Sequence, residues 1–213
     1  MRSFFRGVAW LLGILAVLAL ILYATVFDVW VVPSDDPSFT ASILPTLAPG
    51  DILLVTRHGS APSFETLEKC ADPDAPGRFV VARVAGVAGD KIEISKDGFR
   101  RNGQALSIGS TGCDTRTVDV ENPTSHEVVS LSCNRTDAAG LSHGILRGTA
   151  DFENDVAATV DPNRIYLLSD DLHFHQDSRD YGQIEPGTCQ HIVFRLFGAL
   201  GITDGSRRFA LLW

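Results

Sequence analysis

Between Gly7 and Phe27 the chain runs for 21 residues without a formal charge, dominated by Leu, Val, Ala and Ile. As a helix at about 1.5 Å per residue, that stretch is about 30 Å long, the thickness of a bilayer's hydrocarbon core. Arg2 and Arg6 precede it, the next charges are Asp28, Asp35 and Asp36, and no Lys or Arg returns until Arg57. This asymmetry puts the N-terminus in the cytoplasm and the body outside. A cleaved signal peptide is the rival reading, but the apolar region exceeds the roughly 7–15 residues of such a peptide and no clean A-x-A site follows. The expected element is an uncleaved single-pass anchor, with Trp30 at the outer interface.

The rest of the 213 residues suffices for one sizeable core or a core with a small appended domain. A formal net charge of -8 leaves no basic face to neutralise a phosphate backbone, so nucleic acid is excluded as a partner. Cys70, Cys113, Cys133 and Cys189 show no C-x-x-C spacing, which argues against a zinc site. They permit one or two disulfides in an exported domain or, alternatively, four buried thiols.

Strand signals recur through the body. Asp51 to Arg57 enters a strand from a Pro-Gly-Asp turn, Phe79 to Val87 is strongly apolar, Lys91 to Ser95 alternates, and Asn102-Gly103 marks a hairpin. Ser60 to Gly77, rich in Pro and Gly, reads as a loop. Between Leu106 and Pro162 the texture turns polar around Cys113 and Cys133, as in an inserted subdomain whose thin core a disulfide between those two would reinforce. Arg164 to Leu168 resumes the core, Ser169 to Tyr181 is a charged loop, and His191 to Leu200 is again strand-like. The expected organisation is a cytoplasmic N-terminus (1–6), a transmembrane anchor (7–27), a linker (28–37), a β domain (38–105 and 163–213) and the inserted subdomain (106–162).

Ser42 stands out chemically. Ala41 precedes it, Thr40 lies two positions back and Pro45 three positions on, a pattern that suits an exposed nucleophile on a fixed turn and equally an ordinary loop. Three separated segments then resemble one family in the right order: Ser42-x-x-Pro45-Thr46-Leu47-x-x-Gly50-Asp51, Arg83-Val84-x-Gly86-x-x-Gly89-Asp90, and Asp170 followed by Asp177-Ser178-Arg179-x-x-Gly182. Together with the anchor they look like the successive boxes of type I signal peptidases. The resemblance covers residues 1 to about 105 and about 163 to 200.

It implies a mostly β, membrane-anchored catalytic domain on the outer face of a bacterial cytoplasmic membrane. The domain would cleave signal peptides of exported preproteins by a Ser-Lys dyad, with membrane lipid as its surroundings and no cofactor. Ser42 takes the place of the nucleophile and Thr40 that of the oxyanion-hole hydroxyl. Arg83, Asp170, Asp177, Ser178 and Arg179 read as structural support, the charged members forming ion pairs that brace the site.

The dyad's Lys position, however, is Ala82. The third box opens Ser169-Asp170-Asp171-Leu172, departing from the family's Gly-Asp-Asn-Arg, and His175 stands where the family has a small hydroxyl residue. A serine needs a base within hydrogen-bond reach, and a methyl group supplies none. Lys69, Lys91 and Lys96 are not obvious substitutes.

His175 is the expected replacement: in the family the side chain at its position contacts the lysine amine, and Asp177 or Asp170 would orient the imidazole in a Ser-His-Asp arrangement. The alternatives are a natural inactive relative and a variant in which Ala was placed on the Lys. His173 and His175 lack a third ligand at metal spacing, so no metal is expected.

Overall fold

The computed structural model describes residues 2–57, 59, 61–95, 98–105, 107–138, 141–148 and 155–212. Lys96 and Trp213 lie outside the described residues, as does Leu106 at the boundary of the expected insertion.

Helix α1 (Arg2–Val26) leads directly into strand β1 (Phe27–Val31), and the short helix α2 (Pro37–Ser42) follows. Then come β2 (Ile52–Thr56), β3 (Leu67–Ala71), β4 (Phe79–Val87), β5 (Lys91–Ser95), β6 (Gly98–Arg101) and β7 (Gln104–Ala105). The polar region holds β8 (Ser107–Glu121), β9 (Val128–Ala138), β10 (Leu141–Arg147) and β11 (Val156–Thr159). After β12 (Ile165–Leu168) come helix α3 (Ser178–Tyr181) and strands β13 (Cys189–Phe197) and β14 (Ala210–Leu211). The expected mostly β class holds.

Among the described side chains no helix is long and apolar enough to cross a membrane; side chains at 2–6, 9, 19 and 22 of α1 are outside that set. The first residues of the expected linker are strand β1, paired in register from Phe27 with Thr56 to Val31 with Ile52.

Among the described residues the strands form three sheets. The largest runs β1-β2-β13-β3-β4-β12, with β14 also on β13. Strand β13 joins its parts, pairing β3 through Cys189–His191 and β2 through Ile192–Phe197. The others are β11-β5-β6-β7 and β10-β9-β8. The Asn102-Gly103 signal forms the β6–β7 turn, both residues having positive φ (52° and 78°) as a type I′ hairpin requires.

Strand β3 overturns the loop expected over Ser60 to Gly77. It lies between β13 and β4, and four of its five residues are buried. The charged Glu68 and Lys69 obscured it. Glu68 is buried 3.3 Å from His191 Nδ1, whereas Lys69 Nζ donates to Gln190 Oε1 at 2.9 Å and sits over the rings of Phe79 (3.9 Å) and Trp30 (5.0 Å). Cation–π and amide contacts thus replace the water that a lysine in a loop would keep.

Alternation on β4 separates two environments. Val80, Ala82 and Val84 pack with Ile165, Leu167, Ile184 and the Cys70–Cys189 disulfide. Val81 faces the other way, into a core with Phe39, Ile43, Leu47 and Leu53, and Ala85 packs with Ile92, Ile145 and Leu168. Cys113 and Cys133 form the second disulfide, between β8 and β9, a pairing that the sequence left open.

The two bridges close loops of very different length, with sequence separations of 119 and 20 residues. Chain entropy assigns about 5 and about 3 kcal/mol to them. Cys70→Ala/Cys189→Ala is therefore expected to lower the guanidinium midpoint more than Cys113→Ala/Cys133→Ala does. The reverse order in parallel denaturation curves would contradict this ranking.

Candidate active site

Helix α2 begins where Asp36 caps it, its carboxylate accepting from Ser38 N and Phe39 N at 3.0 and 3.1 Å, with Pro37 preset for the first turn. Ser42 is its last residue. Its side chain is fully buried rather than exposed as the sequence pattern suggested, and Oγ donates to Phe39 O at 2.9 Å. The cover comes from the polar region: Ala41 packs with Val120, Leu131, Cys133 and Leu146 of β8, β9 and β10. Thr40 Oγ1 is buried and has no hydrogen-bond partner among the described residues.

Beyond Ser42 the turn is tied to the third box. Asp171 N donates to Ser42 O at 3.4 Å, and Thr46 Oγ1 donates to Asp170 Oδ2. Asp170 Oδ1 accepts from Arg83 Nε at 2.8 Å, both side chains being 4% exposed. The bracing ion pair expected from the sequence is therefore buried.

Two residues with no assigned role complete this cluster. His143, on β10, places Nε2 3.4 Å from Asp170 Oδ1 and Nδ1 3.4 Å from Glu65 Oε2. Glu65 holds a left-handed φ of 72°, fixed by Glu65 N to Val84 O (2.8 Å) and Arg83 Nη1 to Glu65 O (3.1 Å). Neither was legible, because Glu65 lies in a Pro- and Gly-rich stretch and His143 in the polar region. The only hint was a histidine on the apolar-alternating run Leu141 to Leu146.

The other two members of the expected ion-pair set, Asp177 and Arg179, pair with each other. Asp177 is fully buried, caps α3, accepts from Ser169 N (2.8 Å), and takes Arg179 Nη2 at 2.7 Å. Burial works against its charge, but Arg179 prevails and holds the carboxyl below its ordinary range. Ser178 Oγ accepts from Leu167 N at 2.9 Å, tying α3 to β12.

His175 is held by neither Asp177 nor Asp170: its Nδ1 pairs with Asp180 Oδ2 at 2.9 Å. Asp177 is committed to Arg179 and to its helix cap, which leaves Asp180 as the carboxylate facing the imidazole. Ser42 Oγ and His175 make no hydrogen bond to one another.

Ligand atoms of His175, Asp177 and Asp180 lie within 4.8 Å of one another, closer than the sequence spacing suggested. With Arg179 on Asp177, the group reads as an ion-pair network rather than a metal centre. Ala82 is 1% exposed within its aliphatic cluster and brings no titratable group. Burial lowers the pKa of Lys69, opposed by Asp28, and its amine is engaged with Gln190 and two rings.

The sequence profile of the signal peptidase family, peptidase S26, matches residues 6–191. No curated protein shows significant similarity to the chain.

Burial pushes the Glu65 carboxyl from 4.5 up to about 7, with Arg83 and Arg101 opposing, Asp170 reinforcing, and His143 facing it. Between those values the unfolded chain has released a proton that the folded chain keeps, so this group makes stability fall as pH rises through the window and level off above it. The decline amounts to roughly 3 kcal/mol. Glu65→Gln, neutral throughout, is expected to flatten it in urea titrations run across that range, and an unaltered slope would remove Glu65 as its source.

Proposed function

The chain belongs to the signal peptidase family, peptidase S26, and on that premise we propose that it is a membrane-anchored serine endopeptidase removing signal peptides from exported proteins. In this reading α1 is the anchor. Its 25 residues extend about 37 Å. Trp10, Leu11, Leu12 and Leu20 are 58–76% exposed, as side chains meeting lipid would be. The N-terminus lies in the cytoplasm and the body in the periplasm or outside.

Ser42 attacks the scissile carbonyl, forming an ester to the signal peptide and releasing the new N-terminus, and water then hydrolyses the ester. The substrate strand adds to a sheet edge beside Ser42, its small side chains filling shallow apolar pockets. Thr40 Oγ1 and the Ser42 N–H stabilise the oxyanion. The observation that carries this reading is the buried Thr40 hydroxyl without a partner. An unpaired buried hydroxyl costs about 1–3 kcal/mol, and a donor kept for charge that develops only in the transition state explains it.

His175 is the base. With Nδ1 on Asp180, its Nε2 remains to take the Ser42 proton once Oγ leaves Phe39 O, the division of labour of a serine–histidine–carboxylate set. A second reading, a noncatalytic relative that holds signal peptides, is favoured by one observation: the dyad position is a methyl group packed among aliphatic side chains.

Cleavage of a preprotein by the full chain in detergent distinguishes the readings. Ser42→Ala is expected to abolish it, and His175→Ala and Asp180→Asn to lower kcat by about 100-fold or more. Equal residual cleavage in all variants would leave the binding protein as the answer. Full activity in His175→Ala would keep the serine and discard this base, and a gain of orders of magnitude on Ala82→Lys would identify a broken dyad.

A further inference from the structure

A cavity of about 610 Å³ opens beside the serine turn, lined by Pro45 and Thr46 on one side and by β9, β10, β13 and the C-terminal loop on the others. Its wall carries four guanidinium groups in a chain whose formal net charge is -8. Arg83 is matched by Asp170. Arg195 and Arg207 share one carboxylate, the fully buried Asp51, at 3.4 and 2.6 Å. Half-buried Asp204 adds a further negative charge near them, its Oδ1 accepting from Ser206 and from Arg207 N. Among the described residues Arg135 is paired with a hydroxyl and no carboxylate, donating from Nε to Ser142 Oγ at 2.7 Å.

Arg195 is 8% exposed, and its Nε has no hydrogen-bond partner among the described residues. Burial and the neighbouring Arg207 lower its pKa, against the opposing pull of Asp51 and Asp204. A buried N–H donor left over beside surplus positive charge is matched by an oxyanion with several lone pairs.

We propose that this cavity is a subsite for an acidic side chain of the substrate polypeptide, read by Arg135, Arg195 and Arg207. The inference rests on the peptidase reading for its occupant. Pro45 is three residues from Ser42, so its Cα lies at most about 11 Å away, which an extended substrate spans in three to four residues. A polypeptide that runs from Ser42 toward Pro45 brings a side chain to the cavity. A phospholipid headgroup has the same anionic chemistry but no requirement to pass the serine.

The test is equilibrium binding to the full chain carrying Ser42→Ala in nonionic detergent, so that failure of catalysis cannot mimic failure of the subsite. The probes are fluorescent cleavage-site peptides with Asp, Asn or Lys at each position within four residues of the scissile bond. At one position Asp is expected to bind about tenfold more tightly than Asn, the worth of one charge-assisted hydrogen bond. Added salt should shrink that preference.

Arg207→Gln should lower the preference, and Arg135→Glu should invert it so that the Lys peptide binds better than the Asp peptide, a gain that a misfolded variant cannot produce. Equal binding of Asp and Asn peptides at every position, or no binding of any peptide, overturns the inference. So does a preference untouched by Arg135→Glu. Phosphatidylglycerol-doped micelles that abolish the Asp preference in the unsubstituted cavity, and leave the Lys preference of Arg135→Glu unchanged, would reassign the site to lipid headgroups.

Discussion

Asp170 is the carboxylate on which the geometry of the site depends. One oxygen takes the Arg83 guanidinium from β4 and faces His143 of β10, and the other takes the Thr46 hydroxyl from the serine turn. Its own backbone carbonyl accepts from Leu146 N at 2.8 Å. Four segments far apart in sequence converge on a residue that is 4% exposed. Burying a charge this deeply is tolerable only with its lone pairs satisfied, and removing any partner would leave the others uncompensated. Because the partners come from different sheets, that same requirement fixes how the polar region sits on the serine turn.

A second carboxylate, Asp51, does the corresponding work on the far side of the turn. It accepts from Ala48 N at 3.0 Å and gathers Arg195 and Arg207, which also reach Thr46 O at 2.9 and 3.4 Å. Residues 42–51 are thus held from two sides: Asp170 takes the Thr46 side chain and the arginines on Asp51 take its backbone. A turn held at both side chain and main chain has little freedom to shift relative to Ser42, four residues before Thr46. The apolar cover over Ala41 then determines how open that serine is.

Much of this was legible because it rests on local chemistry. The Gly-Asp turn, the Asn102-Gly103 hairpin and the Asp177–Arg179 pair sit in short motifs whose residue types dictate their conformation, whereas the Arg83–Asp170 pair, 87 residues apart, was expected only through the family resemblance. What escaped reading depends on contacts over long sequence separations. Strand β3 carries Glu and Lys at buried positions, and only His191, Gln190 and the rings of Trp30 and Phe79 make that burial affordable. Glu65 and His143 are 78 residues apart, and neither has local sequence around it that announces the other. The pairing of His175 with Asp180 was missed for a different reason. Asp177 is nearer in sequence, but Arg179 and the α3 cap had already claimed it.

The two faces of β4 give Ala82 its meaning. Its own face is filled by aliphatic side chains and the Cys70–Cys189 bridge, and its cross-strand neighbour Glu68 turns to His191. An amine at position 82 would have to shed its hydration in that cluster, whereas a methyl group adds to it. The opposite face, one residue on, carries Arg83 and with it Asp170, Glu65 and His143. Polar chemistry near the serine is therefore concentrated on that second face and on the 169–180 loop. His143 and His175 lie on that face and in that loop, respectively, and not in the aliphatic cluster around Ala82.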